Sequence, residues 1–186
     1  MVENGTAGAV WLLEHPALYT AGTSAKDSDL LRTDLPVFQT GRGGQYTYHG
    51  PHQRVAYVMR DLAKHHKSDL RGYVCRLEDW LIAALAILGV KGERRSGRVG
   101  IWVDLAPYGR IGEAKIAALG VRVRKSIAYH GVSINLDPDL SAFQGIVPCG
   151  IREHGVTSLR DLGIKTDIAA LDAALLEAFK KVFLNG

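Results

Sequence analysis

The residue best suited to chemistry is a cysteine in a turn, with three basic groups elsewhere that could activate it. Cys149 stands in Val147-Pro-Cys-Gly-Ile151, where Pro148 and Gly150 break regular structure and present the thiol in a sharp turn. Such a thiol becomes a nucleophilic thiolate when a positive neighbour lowers its pKa from about 8.5. Histidine is the default partner, and His49 and His130, each followed by glycine, qualify. A partly desolvated lysine does the same, and Lys115 opens the apolar run Lys-Ile-Ala-Ala-Leu-Gly. Residue types alone leave these three open. Cys75 is the contrast. It lies in Tyr73-Val-Cys-Arg-Leu77 on a helical pattern, and is expected to be buried and inert.

A second cluster is Arg42-Gly-Gly-Gln-Tyr-Thr-Tyr-His-Gly-Pro51. Its glycines allow close backbone approach to a ligand and positive φ. Between them stand donors and acceptors at short range. The combination builds a ligand cradle more readily than a core, and composition alone leaves a polar hairpin equally open. Metal chemistry is not expected. His65-His66 lies between Lys64 and Lys67, with no cysteine or carboxylate at ligand spacing. Neither GxxxxGK[ST] nor GxGxxG occurs, so nothing points to a nucleotide cofactor.

Positioning these groups requires a mixed framework. Val10–Leu13 reads as a buried strand stub, followed by a loop at His15-Pro16. Leu35–Gln39 reads as a short strand, Gln53–Leu62 as a longer one, and Leu70–Leu88 as the clearest helix, with Gly89 as its C-cap. Strands follow at Val99–Val103, Lys115–Lys125 and Ile127–Leu136. Gly120 inside the second suggests a bulge or a close approach by a ligand. Thr157 and Thr166 look like N-caps, and Asp167–Leu184 reads as a final amphipathic helix. The pattern predicts a single α+β domain with a central mixed or antiparallel sheet flanked by helices.

Composition narrows the class. A chain of 186 residues with 47% hydrophobic and 23% charged residues has the balance of one globular domain. No apolar run approaches the length of a membrane helix, and Met1-Val-Glu-Asn-Gly has no apolar signal region. Two cysteines are too few for a disulfide framework, so a cytoplasmic protein with free thiols is expected. The net charge of +4 comes without an aromatic-interleaved basic stripe. That argues against nucleic acid and leaves room for steering acidic protein partners.

Four motifs then fall in order: Gly41-Arg-Gly-Gly-Gln-Tyr-Thr-Tyr-His-Gly-Pro51, Lys115-Ile-Ala-Ala-Leu-Gly-Val-Arg122, Tyr129-His-Gly-Val-Ser-Ile-Asn135 and Gly145-Ile-Val-Pro-Cys-Gly150. With Leu12-Leu-Glu-His-Pro16 and Tyr19-Thr-Ala-Gly22, the chain resembles the octanoyl-[acyl-carrier-protein]:protein N-octanoyltransferases, the lipoyl/octanoyl transferases of lipoate biosynthesis. The likeness runs over roughly residues 10 to 163. It implies a fold similar to the biotin/lipoate ligase catalytic domain, spanning residues 1–186 without the strand and helix that the family usually places ahead of Val10.

By the same resemblance, Cys149 is the acyl-thioester cysteine and Lys115 the lysine that lowers its pKa. Arg42, Gly43, Gly44, Gln45, Tyr46, Thr47, Tyr48 and His49 form the substrate cradle. Ala118, Leu119 and Gly120, with Gly131, Val132 and Ser133, supply two further walls. The implied reaction moves octanoyl from octanoyl-acyl carrier protein to one lysine of a lipoyl domain. The acceptors implied are 2-oxoacid dehydrogenase complexes and the glycine cleavage H protein. No cofactor, metal, nucleic acid or membrane is implied, and a monomer is expected. Two departures stand out: His52 replaces a usual glycine, and Tyr46 replaces a small β-branched residue. Two other readings compete. An ATP-dependent lipoate or biotin ligase needs no thioester cysteine, so the Pro-Cys-Gly turn argues against it. A non-catalytic module that holds a carrier or lipoyl domain would bind without turnover.

Overall fold

Period-two alternation from Gln53 to Asp61 and from Ile127 to Asn135 sets one apolar side chain in every two against the helices, and turns the others to the opposite face. The computed structural model describes residues 8–65, 69–147 and 155–184. Along the chain come strands β1 (Gly8–Leu13), β2 (Leu18–Ala21), β3 (Val37–Gln39), β4 (Tyr46–His49) and β5 (Gln53–Asp61). A one-turn helix α1 (Leu62–His65) and the long helix α2 (Leu70–Ile87) follow. Then come β6 (Glu93–Arg95), β7 (Arg98–Asp104), β8 (Glu113–Arg124), β9 (Ile127–Asn135), β10 (Gly155–Val156) and helix α3 (Ile168–Phe179).

The main sheet runs β1-β5-β9-β8-β7-β6, antiparallel throughout, and β10 adds a parallel pairing to β8. A second sheet, β3-β2-β4, pairs β2 with β3 in parallel and with β4 antiparallel. The architecture is the expected α+β domain with a central sheet and flanking helices.

Helix α2 starts where the Asp69 carboxylate accepts from Gly72 N, and it ends at Gly89 with φ 79°. Its stripe Tyr73, Leu77, Trp80, Leu81, Ala84 and Leu85 packs with Ala56, Val58, Ile101, Ile116, Val132 and Ile134 of the sheet. Trp80 Nε1 donates to Leu175 O at 2.8 Å and so ties α2 to α3. Arg54 grips Asp172 through two hydrogen bonds of 2.8 and 3.0 Å, fastening β5 to α3. The small sheet has its own apolar cluster of Tyr19, Ala21, Tyr46, Tyr48, Ala142 and Ile146.

Several local expectations change. Val10–Leu13 belongs to a longer strand that is not buried, with Trp11 61% exposed. Among the described residues it pairs on one side only, and hydrophobicity does not distinguish an edge from a centre. Leu18–Ala21 is a strand that the sequence reading did not assign, since four residues carry little periodicity. Thr157 caps no helix; its hydroxyl donates to Asp161 Oδ2 at 2.6 Å within a series of turns. Asp167, not Thr166, caps α3, its carboxylate accepting from Ala170 N. A carboxylate there also meets the positive end of the helix dipole. The final helix changes to a π-turn at Lys180–Leu184. Cys75 is exposed, on the outer side of α2, rather than buried. Gly120 makes no bulge; it pairs regularly with Gly131. Lys125 and Ser126, with φ of 49° and 63°, form a two-residue turn joining β8 to β9, a geometry that usually selects Asn-Gly.

Candidate active site

Between the face of the main sheet away from the helices and the small sheet lies a cavity of about 390 Å³. Alternation builds its floor. Gln53, Val55 and Tyr57 of β5 face it, while Ala56 and Val58 enter the helix-side core. Across β9, Gly131, Ser133 and Asn135 join them, and β8 contributes Lys115 and Ala117–Gly120. The roof comes from Leu18 and Thr20 of β2, Phe38 of β3, and Tyr46, Thr47 and His49 of β4. His15, Thr40, Arg42, Gly44, Gln45, Phe143 and Val156 complete the rim.

Arg42 is buried, and its guanidinium stitches the glycine loop to the roof. Its Nη2 donates to Thr20 O and Thr20 Oγ1, both at 2.8 Å, and its Nη1 donates to Gly43 O at 3.0 Å. Gly43 N donates to Val121 O, which fixes the loop against β8. The stem of Arg42 crosses Gly120 so closely that a Cβ there would stand 2.8 Å from Arg42 Cδ. The group that approaches Gly120 in this structure is thus the Arg42 side chain, where the sequence suggested a ligand.

Lys115 is 8% exposed and reaches the cavity from the middle of the sheet. Its Nζ donates to Val99 O at 3.0 Å and lies 4.9 Å from the centroid of the Trp102 ring. The backbone carbonyl and the indole face stabilise a cation there.

His49 Nδ1 meets Gln53 Oε1 at 2.7 Å. Gln53 Nε2 in turn donates to Tyr48 O at 3.3 Å and to Asn135 Oδ1 at 2.9 Å. Asn135 Nδ2 donates to Thr157 O at 2.9 Å. Burial, the largest influence, pushes the His49 imidazole down to about 4; the Gln53 bond opposes this, while His15 and Arg42 add to the lowering. His15 Nε2 shares a 2.7 Å hydrogen bond with Tyr57 OH, and its ring lies 5.6 Å from that of His49. Burial lowers the pKa of His15 as well and raises that of Tyr57.

His130 is displaced from its strand parity. Its neighbours Ala128 and Val132 face the helices, but a φ of 64° turns His130 to the other side, against the rings of Tyr57 and Tyr129. Burial first, then Arg42 and Arg122, lowers its pKa.

The structure thus brings together Arg42, Gly44, Gln45, Tyr46, Thr47, His49, Lys115, Ala118, Leu119, Gly120, Gly131, Val132 and Ser133 on one cavity. Two cradle residues are not part of its lining. Gly43 carries the backbone link to Val121. Tyr48 packs edge-on against Tyr19 and Phe143 beneath the roof. Cys149 lies outside the described residues. Sequence reading missed His15, Gln53, Tyr57 and Asn135; period-two spacing from Gln53 through Tyr57 was the available signal.

Comparison with known proteins follows from this geometry. Residues 2–180 match the lipoyl protein ligase A/B catalytic domain. The chain is 63% identical over 181 residues to an octanoyltransferase of Cereibacter sphaeroides, covering 94% of this chain and 83% of the relative. It is 61% identical over 184 residues to an octanoyltransferase of Paramagnetospirillum magneticum, covering 98% and 85%. In fold it is similar to the bi-partite lipoate protein ligase solved, with its E2 lipoyl domain, as part of the lipoylation system of Thermoplasma acidophilum. That match has a TM-score of 0.75 at 16% identity, over 97% of this chain and 73% of the other. At sequence and fold level alike, the chain belongs to the lipoyl protein ligase A/B catalytic domain family and stands with its acyltransferase members, the octanoyltransferases.

Proposed function

We propose that this enzyme transfers an octanoyl group from octanoyl-acyl carrier protein to a lysine of a lipoyl domain, through a thioester on Cys149. The observation that carries the reading is the cavity itself. It is a largely apolar slot walled by Leu18, Val55, Ala118, Leu119 and Phe143, with Lys115 among its floor residues. A slot of that kind suits a fatty chain, since each methylene removed from water contributes about 0.8 kcal/mol. The described flanks of the segment bearing Cys149 support it too. Phe143 before it and Val156 after it both line the cavity, and Val156 pairs directly with Lys115.

In the first half-reaction the Cys149 thiolate attacks the incoming thioester carbonyl. A C–S bond forms, the carrier's C–S bond breaks, and the carrier leaves as a thiol after taking up a proton. Lys115 stabilises the thiolate as its ammonium partner. In the second, a neutral lysine amine attacks the acyl-Cys149 carbonyl, the amide C–N bond forms, and Cys149 leaves as thiolate. Lys115, neutral after giving its proton to the departing carrier thiol, takes up the amine's proton and restores the pair. The lipoyl domain is the acceptor suggested by the Thermoplasma ligase and its E2 lipoyl domain. E2 subunits of 2-oxoacid dehydrogenase complexes and the glycine cleavage H protein are the acceptor class.

The test is to incubate the protein with octanoyl-acyl carrier protein, without acceptor, and record its intact mass. One hydroxylamine-labile octanoyl adduct mapping to Cys149 is expected. Folded protein with no adduct, or with octanoate activated only when ATP is present, overturns the reading.

A further inference from the structure

A backbone carbonyl at one end of a hydrogen-bond relay decides the protonation of a ring at the other end. Thr157 O can only accept, so the Asn135 group that meets it is the donor Nδ2. Asn135 therefore turns Oδ1 to Gln53, whose facing group must be Nε2; the same Nε2 also meets Tyr48 O, a second obligate acceptor. Gln53 is left to present Oε1 to His49. An oxygen that only accepts requires a proton on Nδ1. The neutral His49 ring, held so by burial, therefore carries its lone pair on Nε2. Among the described residues Nε2 has no hydrogen-bond partner, and His49 is part of the cavity lining.

We propose that Gln53 and Asn135 are positioning residues. They hold His49 as the Nδ1–H tautomer, so that Nε2 accepts a hydrogen bond from the attacking lysine amine in the second half-reaction. The inference rests on the transferase reading above. An N–H donor is the match for a fixed acceptor, and the attacking amine carries its N–H on the atom that bonds to the acyl carbon. The bond turns the nitrogen lone pair toward the acyl carbonyl. His49 keeps no proton from the amine: the C–N bond forms, the C–S bond breaks, and the proton leaves by way of Lys115. The ionisable groups around His49 are His15, whose ring is 5.6 Å away, and Arg42. Both oppose a charge on it, as an acceptor role requires.

The test begins with the unmodified chain, labelled with 15N-histidine, and reads each imidazole tautomer by long-range proton–nitrogen correlation. His49→Gln assigns the signal. Wild type is expected to show Nδ1 protonated and Nε2 bare throughout the neutral range. Gln53→Glu, which sets a carboxylate on Nδ1, is expected to move the His49 titration up toward neutrality. As His49 becomes charged, the amine step on preformed octanoyl-enzyme, with unmodified lipoyl domain as acceptor, is expected to slow roughly tenfold, the loss of one hydrogen bond. Acyl-enzyme formation is expected to change less than the amine step. Asn135→Ala is expected to slow the amine step more than acyl-enzyme formation. A bare Nδ1 in wild type, or equal slowing of both half-reactions, overturns the relay while leaving the transferase intact. The expected tautomer in folded protein that transfers no octanoyl removes the amine's part and the transferase reading together.

Discussion

Lys115 and Trp102 are directly paired across β8 and β7, and the lysine ammonium lies 4.9 Å from the indole centroid. The pairing holds the lysine cation against the indole face, and Nζ also donates to Val99 O at 3.0 Å. Lys115→Met keeps the length and loses the charge. We expect octanoyl-enzyme formation to slow by roughly 10²-fold or more, with the melting temperature little changed. The pH profile of Cys149 alkylation should shift upward; an unchanged profile counts against the pair.

Cysteine chemistry needs an accounting of both thiols. Cys75 is exposed on α2, away from the cavity lining, so iodoacetamide will reach it in native protein. Cys75→Ser should retain most of the transfer activity and remove this background label. Cys149→Ala in the same protein should abolish the octanoyl adduct. Survival of the adduct would show that another group carries the acyl chain.

Ala118 lies opposite Ser133 on the cavity floor. Ala118→Leu takes space from the acyl chain. Discrimination should move toward shorter acyl groups by about fourfold in kcat/KM per methylene, the value of about 0.8 kcal/mol. Competition between hexanoyl and octanoyl donors measures it. An unaltered ratio means the chain runs along another wall.

Gly131 faces the backbone of β5, where a Cβ would stand 2.2 Å from Ala56 O. Backbone yields less readily than a side-chain tip. Gly131→Ala should cost about 1–3 kcal/mol in denaturant unfolding. A neutral effect would mean the two strands separate more easily than their pairing implies.

His49 ionises at about 4 in the fold against an ordinary 6.5. Between those values the unfolded chain binds a proton that the folded chain refuses, so stability rises with pH across this window. It is undiminished above 6.5 and falls progressively as acid is added, by a limit on the order of 3 kcal/mol near pH 4. Comparing urea midpoints of wild type and His49→Gln from pH 7 to 4 isolates this. His49→Gln should lose the corresponding part of the slope.

The legible parts of the fold were those with long periodicity. Helix α2 and strands β5, β8 and β9 announce themselves because many residues repeat one pattern. Strand β2 has only Leu-Tyr-Thr-Ala, and β1 hides its edge position behind apolar side chains. Gly120 suggested a bulge or a ligand's approach, but the sequence could not say that the Arg42 side chain is what lies over it. His130 shows a different limit. Alternation assigns it to the helix side, and one left-handed residue reverses that. The relay through Gln53 and Asn135 joins residues 82 apart, so no local pattern records it.

The two apolar clusters lie on opposite sides of the cavity. A bound acyl chain would touch both at once and act as a removable piece of interior between them. The small layer has the smaller cluster to hold it in place. Its amides, those of Leu18–Ala21 and Tyr46–His49, should exchange with deuterium sooner than those of α2 and β9 in the free protein. Octanoylation should slow their exchange most, making the cargo a transient structural element of the enzyme that carries it.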